Sequence, residues 1–354
     1  MTLGIAALAL AGALASPRAS GADVPPCQEV VLRRAKPMMA TLVTVTVRGC
    51  AADGLEDRVR EAFSEMERLA GILSEWVPDS PVSRINRDPG GAPVQVPREL
   101  LDVLQAAAQV SERTAGAFDA TWGALGDLWR FDGARPPRLP AAGEVSQRRA
   151  LIGYRDLVLD RAAGTARLRR PGMRLGLGGI AKGYIAQAAA DLLRARGVRD
   201  VLVAASGDIA ARGTNGDRPW VVAIRDARDP SGAYARVELH DESVSTSGDY
   251  ERFFVVDGRR YHHILDPRTG YPAAESASVT VIAPDGALAD ALATGLFVLG
   301  PDRAEAVVRG LPKVSALLVD PHGAARVAGD PRRFAPSNRE RPAPAASSSA
   351  AGEE

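Results

Sequence analysis

Between residues 201 and 282 the sequence carries five strand-like runs, at 201–205, 220–225, 236–240, 253–256 and 277–282, with no helical pattern between them. Parallel neighbours need a crossover of a dozen or more residues, usually a helix, so strands crowded in this way must meet largely in antiparallel fashion. Helical periodicity flanks the block instead. Apolar residues recur at three- and four-residue spacing over 53–73 (Leu55, Val59, Phe63, Met66, Leu69, Leu73) and over 98–114. A third helix is expected over 180–196, stopped by Gly197, and two more over 287–299 and 302–309. Alternation in TLVTVTV (41–47) marks a first strand, and 314–319 a last buried one. Segregated strands and helices specify an α+β fold rather than a doubly wound parallel sheet.

Composition narrows the partners. The chain has 354 residues, 46% apolar and 25% charged, which is ordinary for a globular protein with a large core. Its 44 Lys and Arg nearly cancel 43 Asp and Glu, so no charge excess points to nucleic acid, and a small molecule or a protein is the expected partner. No apolar run is long enough for a membrane span. LGIAALALAGALA (3–15) followed by small residues reads as the apolar core and cleavage zone of an export signal, residues 1–22. Cys27 follows Val24-Pro25-Pro26, which is not the setting of a lipid-modified cysteine, so the expectation is a soluble exported, periplasmic protein. Cys27 and Cys50 could form one disulfide in such an oxidising compartment. The last residues, 339–354, lack apolar periodicity and read as a disordered tail, which leaves 23–338 as the folded part of the chain.

Five segments carry candidate chemistry. HHILDPRTGYP (262–272) holds two of the four histidines, beside an Asp-Pro and other backbone stiffeners; it reads either as a surface turn or as a rigid loop presenting imidazoles. LGLGGIAKGYIAQAA (175–189) sets glycines and Lys182 at a helix start, where a phosphate could approach backbone N–H groups. It fits neither the Rossmann fingerprint nor the P-loop, and a tight structural turn is the alternative. SEWVPDSPVSRIN (74–86) offers Trp76, either as a stacking platform or as a ring packed on its own helix, while Asp119 in AFDAT (117–121) is a ligand-facing acid or a cap. Asp290 and Thr294 share a helix face at four-residue spacing, and could hold Mg²⁺ or simply satisfy one another.

Met39-Ala40-Thr41, SEWVPDSPVSRIN, AFDAT, LGGIAKGY, ASGDIAARG (205–213), STSGDYERFF (245–254), HHILDPRTGYP and DALATG, in that order, span nearly everything from Met39 to Leu318. Together they resemble the FAD:protein FMN transferase family, known as ApbE. The resemblance implies a single α+β, T-fold-related catalytic domain of mixed and antiparallel sheets with packed helices. It also implies FAD as flavin donor, Mg²⁺, and transfer of FMN to a Ser or Thr hydroxyl with release of AMP. The implied acceptor is a protein domain with a Ser/Thr-Gly-Ala-Thr-like segment, of the kind found in membrane redox complexes. Carried onto this sequence, Met39, Trp76, Ala117, Phe118 and Asp119 line the flavin nucleotide site, Gly178, Lys182 and Tyr184 lie by the pyrophosphate or adenosine, and Ile264 supplies backbone. The metal set is the Ala181 carbonyl, Asp290 and Thr294. His263 is the candidate proton acceptor, Lys182 a charge neutraliser, and Asp266 either orients the imidazole or caps its turn. The family usually has Gly where Ala40 and Ser206 stand, and often an acid near Gly176 and Gln187. An FAD pyrophosphatase and a non-catalytic exported FAD-binding protein are the competing functions.

Overall fold

The computed structural model describes residues 27–131, 138–229 and 231–336. The expected export signal and tail lie outside these residues. An eight-stranded sheet organises the fold, in the spatial order Glu29–Met38, Thr41–Cys50, Asp200–Ala205, Asp208–Arg212, Ser243–Gly248, Ser278–Ala283, Ser315–Val319 and Ala325–Ala328. Every neighbouring pair in it is antiparallel. The expected α+β class is therefore what the chain adopts. Among the described residues seven α-helices accompany the sheet: α1 (Leu55–Leu73), α2 (Pro81–Arg87), α3 (Arg98–Arg113), α4 (Ala142–Arg149), α5 (Ala181–Ala195), α6 (Gly286–Leu299) and α7 (Pro301–Arg309).

Alternation along the strands divides the core. Val43, Val45, Val47, Val201, Val203, Val279 and Val281 face a large cluster built with α1, α3, α5 and α6. Leu202, Ile209, Val244, Ile282 and Leu317 face the opposite side, where Trp220, Ile224, Val237 and Leu239 of a three-stranded sheet close a second cluster. Helix α6 is wedged in the middle of the large cluster, and of its fourteen residues only Leu288 and Thr294 are not buried. An apolar helix buried all round must have a reason for keeping Asp290.

The structure departs from the expected elements in several places: strands Asp208–Arg212 and Ser243–Gly248, in the middle of the sheet, and helix α4 lie where no such element is expected. Residues 81–87, read as loop, form α2, because Ser80 caps the amide of Ser83 and Pro81 stands in the first turn, where its missing N–H costs nothing. The strand Glu29–Met38 was not expected. It is an edge strand carrying Arg33, Arg34 and Lys36, which blunt an otherwise open edge and hide its alternation. Cys27 and Cys50 are disulfide-bonded at the open end of the hairpin this strand makes with Thr41–Cys50. At the hairpin's turn Met39 and Ala40 both have positive φ, 52° and 56°, the two-residue geometry in which glycine is favoured. Ser206, between two further sheet strands, has φ 61°. Ala40 and Ser206 thus occupy backbone conformations that glycine adopts more freely.

Candidate active site

The site forms where the starts of α5 and α6 touch. A Cβ placed on Gly183 would lie 2.1 Å from the Gly286 carbonyl oxygen, and one on Gly286 would lie 2.3 Å from that of Gly183. Only glycine permits this backbone contact. It brings Asp290 onto the first turn of α5, where the Gly183 amide donates to its carboxylate at 3.0 Å. That turn is a natural anion seat, because its N–H groups lack helical partners. Gln187 on α5 accepts a hydrogen bond from the Gly286 amide, locking the crossing from the other side. One turn further along α6, Thr294 approaches the glycine loop so closely that a Cβ on Gly179 would lie 3.0 Å from its hydroxyl. Asp290 and Thr294 therefore both lie against the glycine loop and the first turn of α5, the turn that begins at Ala181.

Lys182 completes the cluster. Its ammonium contacts the buried Asp208 carboxylate and lies 3.9 Å from that of Asp290. Burial opposes the charge on Lys182, but Asp208 and Asp290 more than restore it, so the lysine stays protonated. Asp208 in turn accepts from the Ser245 hydroxyl, and the Ser247 and Thr294 hydroxyls are 3.3 Å apart. Burial, then the neighbouring Asp208, pushes the Asp290 carboxyl up to about 7, offset in part by Lys182 and backbone donors. Asp208, Ser245 and Ser247 had no assigned role in the sequence reading. They fall within ASGDIAARG and STSGDYERFF, but their partners are 26 or more residues away.

The histidine loop closes one side. His262 spends its ring on backbone: Nε2 pairs with the Ala273 carbonyl at 2.7 Å and Nδ1 accepts from the Ile264 amide. In His263 the Nδ1 is buried without a hydrogen bond; burial, then His262, lowers its pKa to about 4, with the charges of Arg252 and Lys182 acting the same way and the Arg252 backbone opposing them. The imidazole is thus neutral at pH 7. Asp266 does not reach it: both carboxylate oxygens are taken by the Arg268 guanidinium, and one also by the Arg268 amide. Of its two expected roles, the geometry leaves that of turn cap. Ile264 is buried and its carbonyl accepts from the Ala273 amide.

The remaining candidates spread around this centre. The Trp76 indole is 75% exposed and is not packed on α1. Its loop is tied to the glycine segment by Asn86, whose amide group exchanges two hydrogen bonds with Leu175. Gly178 is exposed, with open space where a side chain would project. Phe118 is buried and packs near Gly179 and Gly295. Asp119 beside it is inward-facing, bonding Thr121 and the Tyr154 amide, so this stretch can offer a ligand its backbone but not its carboxylate. Ala117 is buried, and Met39 sits in the hairpin turn. Tyr184 lies roughly 200° around α5 from Lys182, and its phenol, pushed up to about 12 by burial and by Asp102 and Glu99, faces the α3 side instead. At Gly176 a side chain would strike the Trp122 indole, whose Nε1 bonds the Gly176 carbonyl, so the expected acid has no room there.

Residues 39–318 match the family model described as the ApbE family. The chain belongs to the ApbE family. Among curated relatives, an FAD:protein FMN transferase of Treponema pallidum is 38% identical over 81% of this chain and 84% of its own length. One of Salmonella typhimurium is 34% identical over 77% and 79%. Among solved structures, the flavin transferase ApbE of Vibrio cholerae superposes with a TM-score of 0.77 at 30% identity, covering 87% of this chain and all of that one. The ApbE protein of Thermotoga maritima gives 0.77 at 34% identity, covering 84% and 96%. Among the described residues no helix is long and apolar enough to cross a membrane.

Proposed function

We infer that this ApbE-family chain is an FAD:protein FMN transferase, moving the FMN half of FAD to a Ser or Thr hydroxyl of an acceptor protein and releasing AMP. The observation that carries the reading is the α5–α6 contact, which gathers Lys182, Asp290 and Thr294 at a glycine-rich helix start within reach of a neutral imidazole's field.

Mg²⁺ fits this cluster by donor chemistry. Asp290 is buried, with the Lys182 ammonium 3.9 Å away as a loose ion pair and the Gly183 amide donating to it, and the Thr294 hydroxyl lies 3.3 Å from that of Ser247. Among the described residues no three His, Cys, Asp or Glu converge, so an ion here rests on one carboxylate and neutral oxygens, the kind of set that suits a hard, partly hydrated cation. Ala181, Asp290 and Thr294 would hold it, and it would neutralise charge on the phosphoryl oxygens. The protein's own groups do the rest. Lys182, held by Asp208, puts a fixed positive charge on the pyrophosphate. His263, neutral at physiological pH, takes the proton of the attacking hydroxyl; its Nδ1 is enclosed, which leaves Nε2 as the nitrogen a hydroxyl can reach. Trp76 offers an open aromatic face to the flavin ring. The reading extends to one catalytic domain over 23–338 acting outside the cytoplasm, which the Cys27–Cys50 disulfide supports.

The test is a mass spectrum of an acceptor domain bearing a Ser/Thr-Gly-Ala-Thr segment, after incubation with the protein, FAD and Mg²⁺. Acceptor mass should rise by one FMN, and the rise should vanish with Asp290→Ala. Free FMN and AMP beside an unmodified acceptor would favour hydrolysis instead.

A further inference from the structure

Strand Phe253–Val256 pairs with Arg259–His262 as an isolated ribbon, in a register that sets Phe253 opposite His262. One step beyond that pair stand Arg252 and His263, joined by a hydrogen bond from the His263 amide to the Arg252 carbonyl at 3.0 Å. Opposed residues of an antiparallel pair project from the same face with Cβ atoms about 5 Å apart. On that face the next pair, Phe254 and Tyr261, stacks at 5.5 Å, and Phe131 and Trp129 extend the stack, so the ribbon is anchored where it delivers these two side chains. The positive charge of Arg252 is felt by both the His263 ring and the Lys182 ammonium.

Its neighbours are neutralised and it is not. Arg225 pairs with Glu251, and Arg228 and Arg260 both pair with Asp249. Among the described residues no carboxylate bonds the Arg252 guanidinium, which is exposed. Two cations facing one imidazole repel each other unless an anion lies between them, and a guanidinium's planar fork suits phosphoryl oxygens.

We propose that Arg252 is a second phosphoryl-binding cation of the transfer site, its guanidinium holding non-bridging oxygens of the FAD pyrophosphate on the His263 side, across from Lys182. The proposal rests on the pyrophosphate lying at Lys182, as read above. During transfer the acceptor oxygen bonds to the FMN phosphorus, the bond from that phosphorus to the bridging oxygen breaks, and the electron pair leaves with AMP. A cation held there offsets the charge that develops.

Flavin-fluorescence titrations of Arg252→Gln, Arg252→Lys and Lys182→Met test it, with riboflavin as the phosphate-free control. Arg252→Gln should bind FAD about tenfold more weakly, leave riboflavin binding unchanged, and lose about 100-fold in transfer kcat/KM. Arg252→Lys should recover part of both losses. The melting temperature without ligand should not move, since no ion pair is broken. Wild-type FAD affinity in Arg252→Gln, an equal loss for riboflavin, or a defect confined to the KM for the acceptor would each overturn the assignment. If Lys182→Met also binds FAD normally, the placement of the pyrophosphate itself is wrong; if only Arg252→Gln does, that placement stands and the role of Arg252 falls.

Discussion

The Lys182 ammonium and the Asp290 carboxylate stand 3.9 Å apart, close enough to feel each other's charge and too far to share a hydrogen bond. Burial and then Asp208 raise the Asp290 carboxyl to about 7, and Lys182 offsets them only in part. Between the ordinary aspartate range and pH 7 the folded form keeps a proton that the unfolded chain releases. Without a divalent ion, stability from this group is full at low pH and is lost as pH rises through that window. A divalent cation needs the ionised carboxylate, so the Mg²⁺-induced rise in melting temperature should be larger at pH 8 than at pH 6. It should be absent in Asp290→Asn. An equal rise at both pH values would remove Asp290 from the metal set.

The neutrality of His263 makes a kinetic prediction. With its pKa lowered to about 4, the acid limb of transfer kcat/KM should fall well below the ordinary histidine value near 6.5. His263→Ala should reduce turnover about 100-fold or more while FAD still binds. A stopped-assay pH profile on the wild type decides the first point: an acid limb at 6.5 that disappears in the variant would show that the ring titrates as an exposed one.

Gly183 sets the crossing of α5 and α6, since a Cβ there would lie 2.1 Å from a backbone oxygen. Gly183→Ala should cost about 3 kcal/mol, at the upper end for overpacking because backbone rather than a side chain must yield. Urea denaturation measures it. The same variant should lose the Mg²⁺ effect on melting, because Asp290 is displaced with the helix. Unchanged stability would mean that the two helices are not in backbone contact.

Ala40 offers the opposite sign. With φ at 56° it holds a left-handed conformation that glycine adopts freely, so Ala40→Gly should stabilise by about 1 kcal/mol. Ser206→Gly, at φ 61°, should act in the same direction. Differential scanning calorimetry would register each as an upward shift of about 2 °C. A downward shift would mean that the turn is built differently.

Local periodicity located the long helices and several core strands, but not the central strands Asp208–Arg212 and Ser243–Gly248, whose Asp, Arg and Ser residues interrupt the apolar alternation. Asp290 and Thr294 were legible as a pair on one helix face through their spacing. What stayed hidden depends on tertiary partners. Asp208 is recognisable as the support of Lys182 only once the sheet strand bearing it passes under α5. Strand Arg259–His262 begins with two arginines and carries little apolar signal of its own, although the Asp257-Gly258 turn before it marks a hairpin. Between the two roles open to Asp266 the sequence could not choose, because the choice depends on Arg268, two residues on, which takes both carboxylate oxygens. For α2 the signal was present, in Ser80 followed by Pro81.

The contact of Gly183 with Gly286 leaves no side chain between the two helices that carry Lys182 and Asp290. Their relative position is therefore set by main-chain dimensions, with no rotamer available to absorb a displacement. Any slide of α6 along α5 would carry the Asp290 carboxylate with it, ångström for ångström. The centre thus has almost no mechanical compliance, and the movement needed to admit FAD and an acceptor falls to the parts around it: the loop bearing Trp76 and the ribbon bearing Arg252.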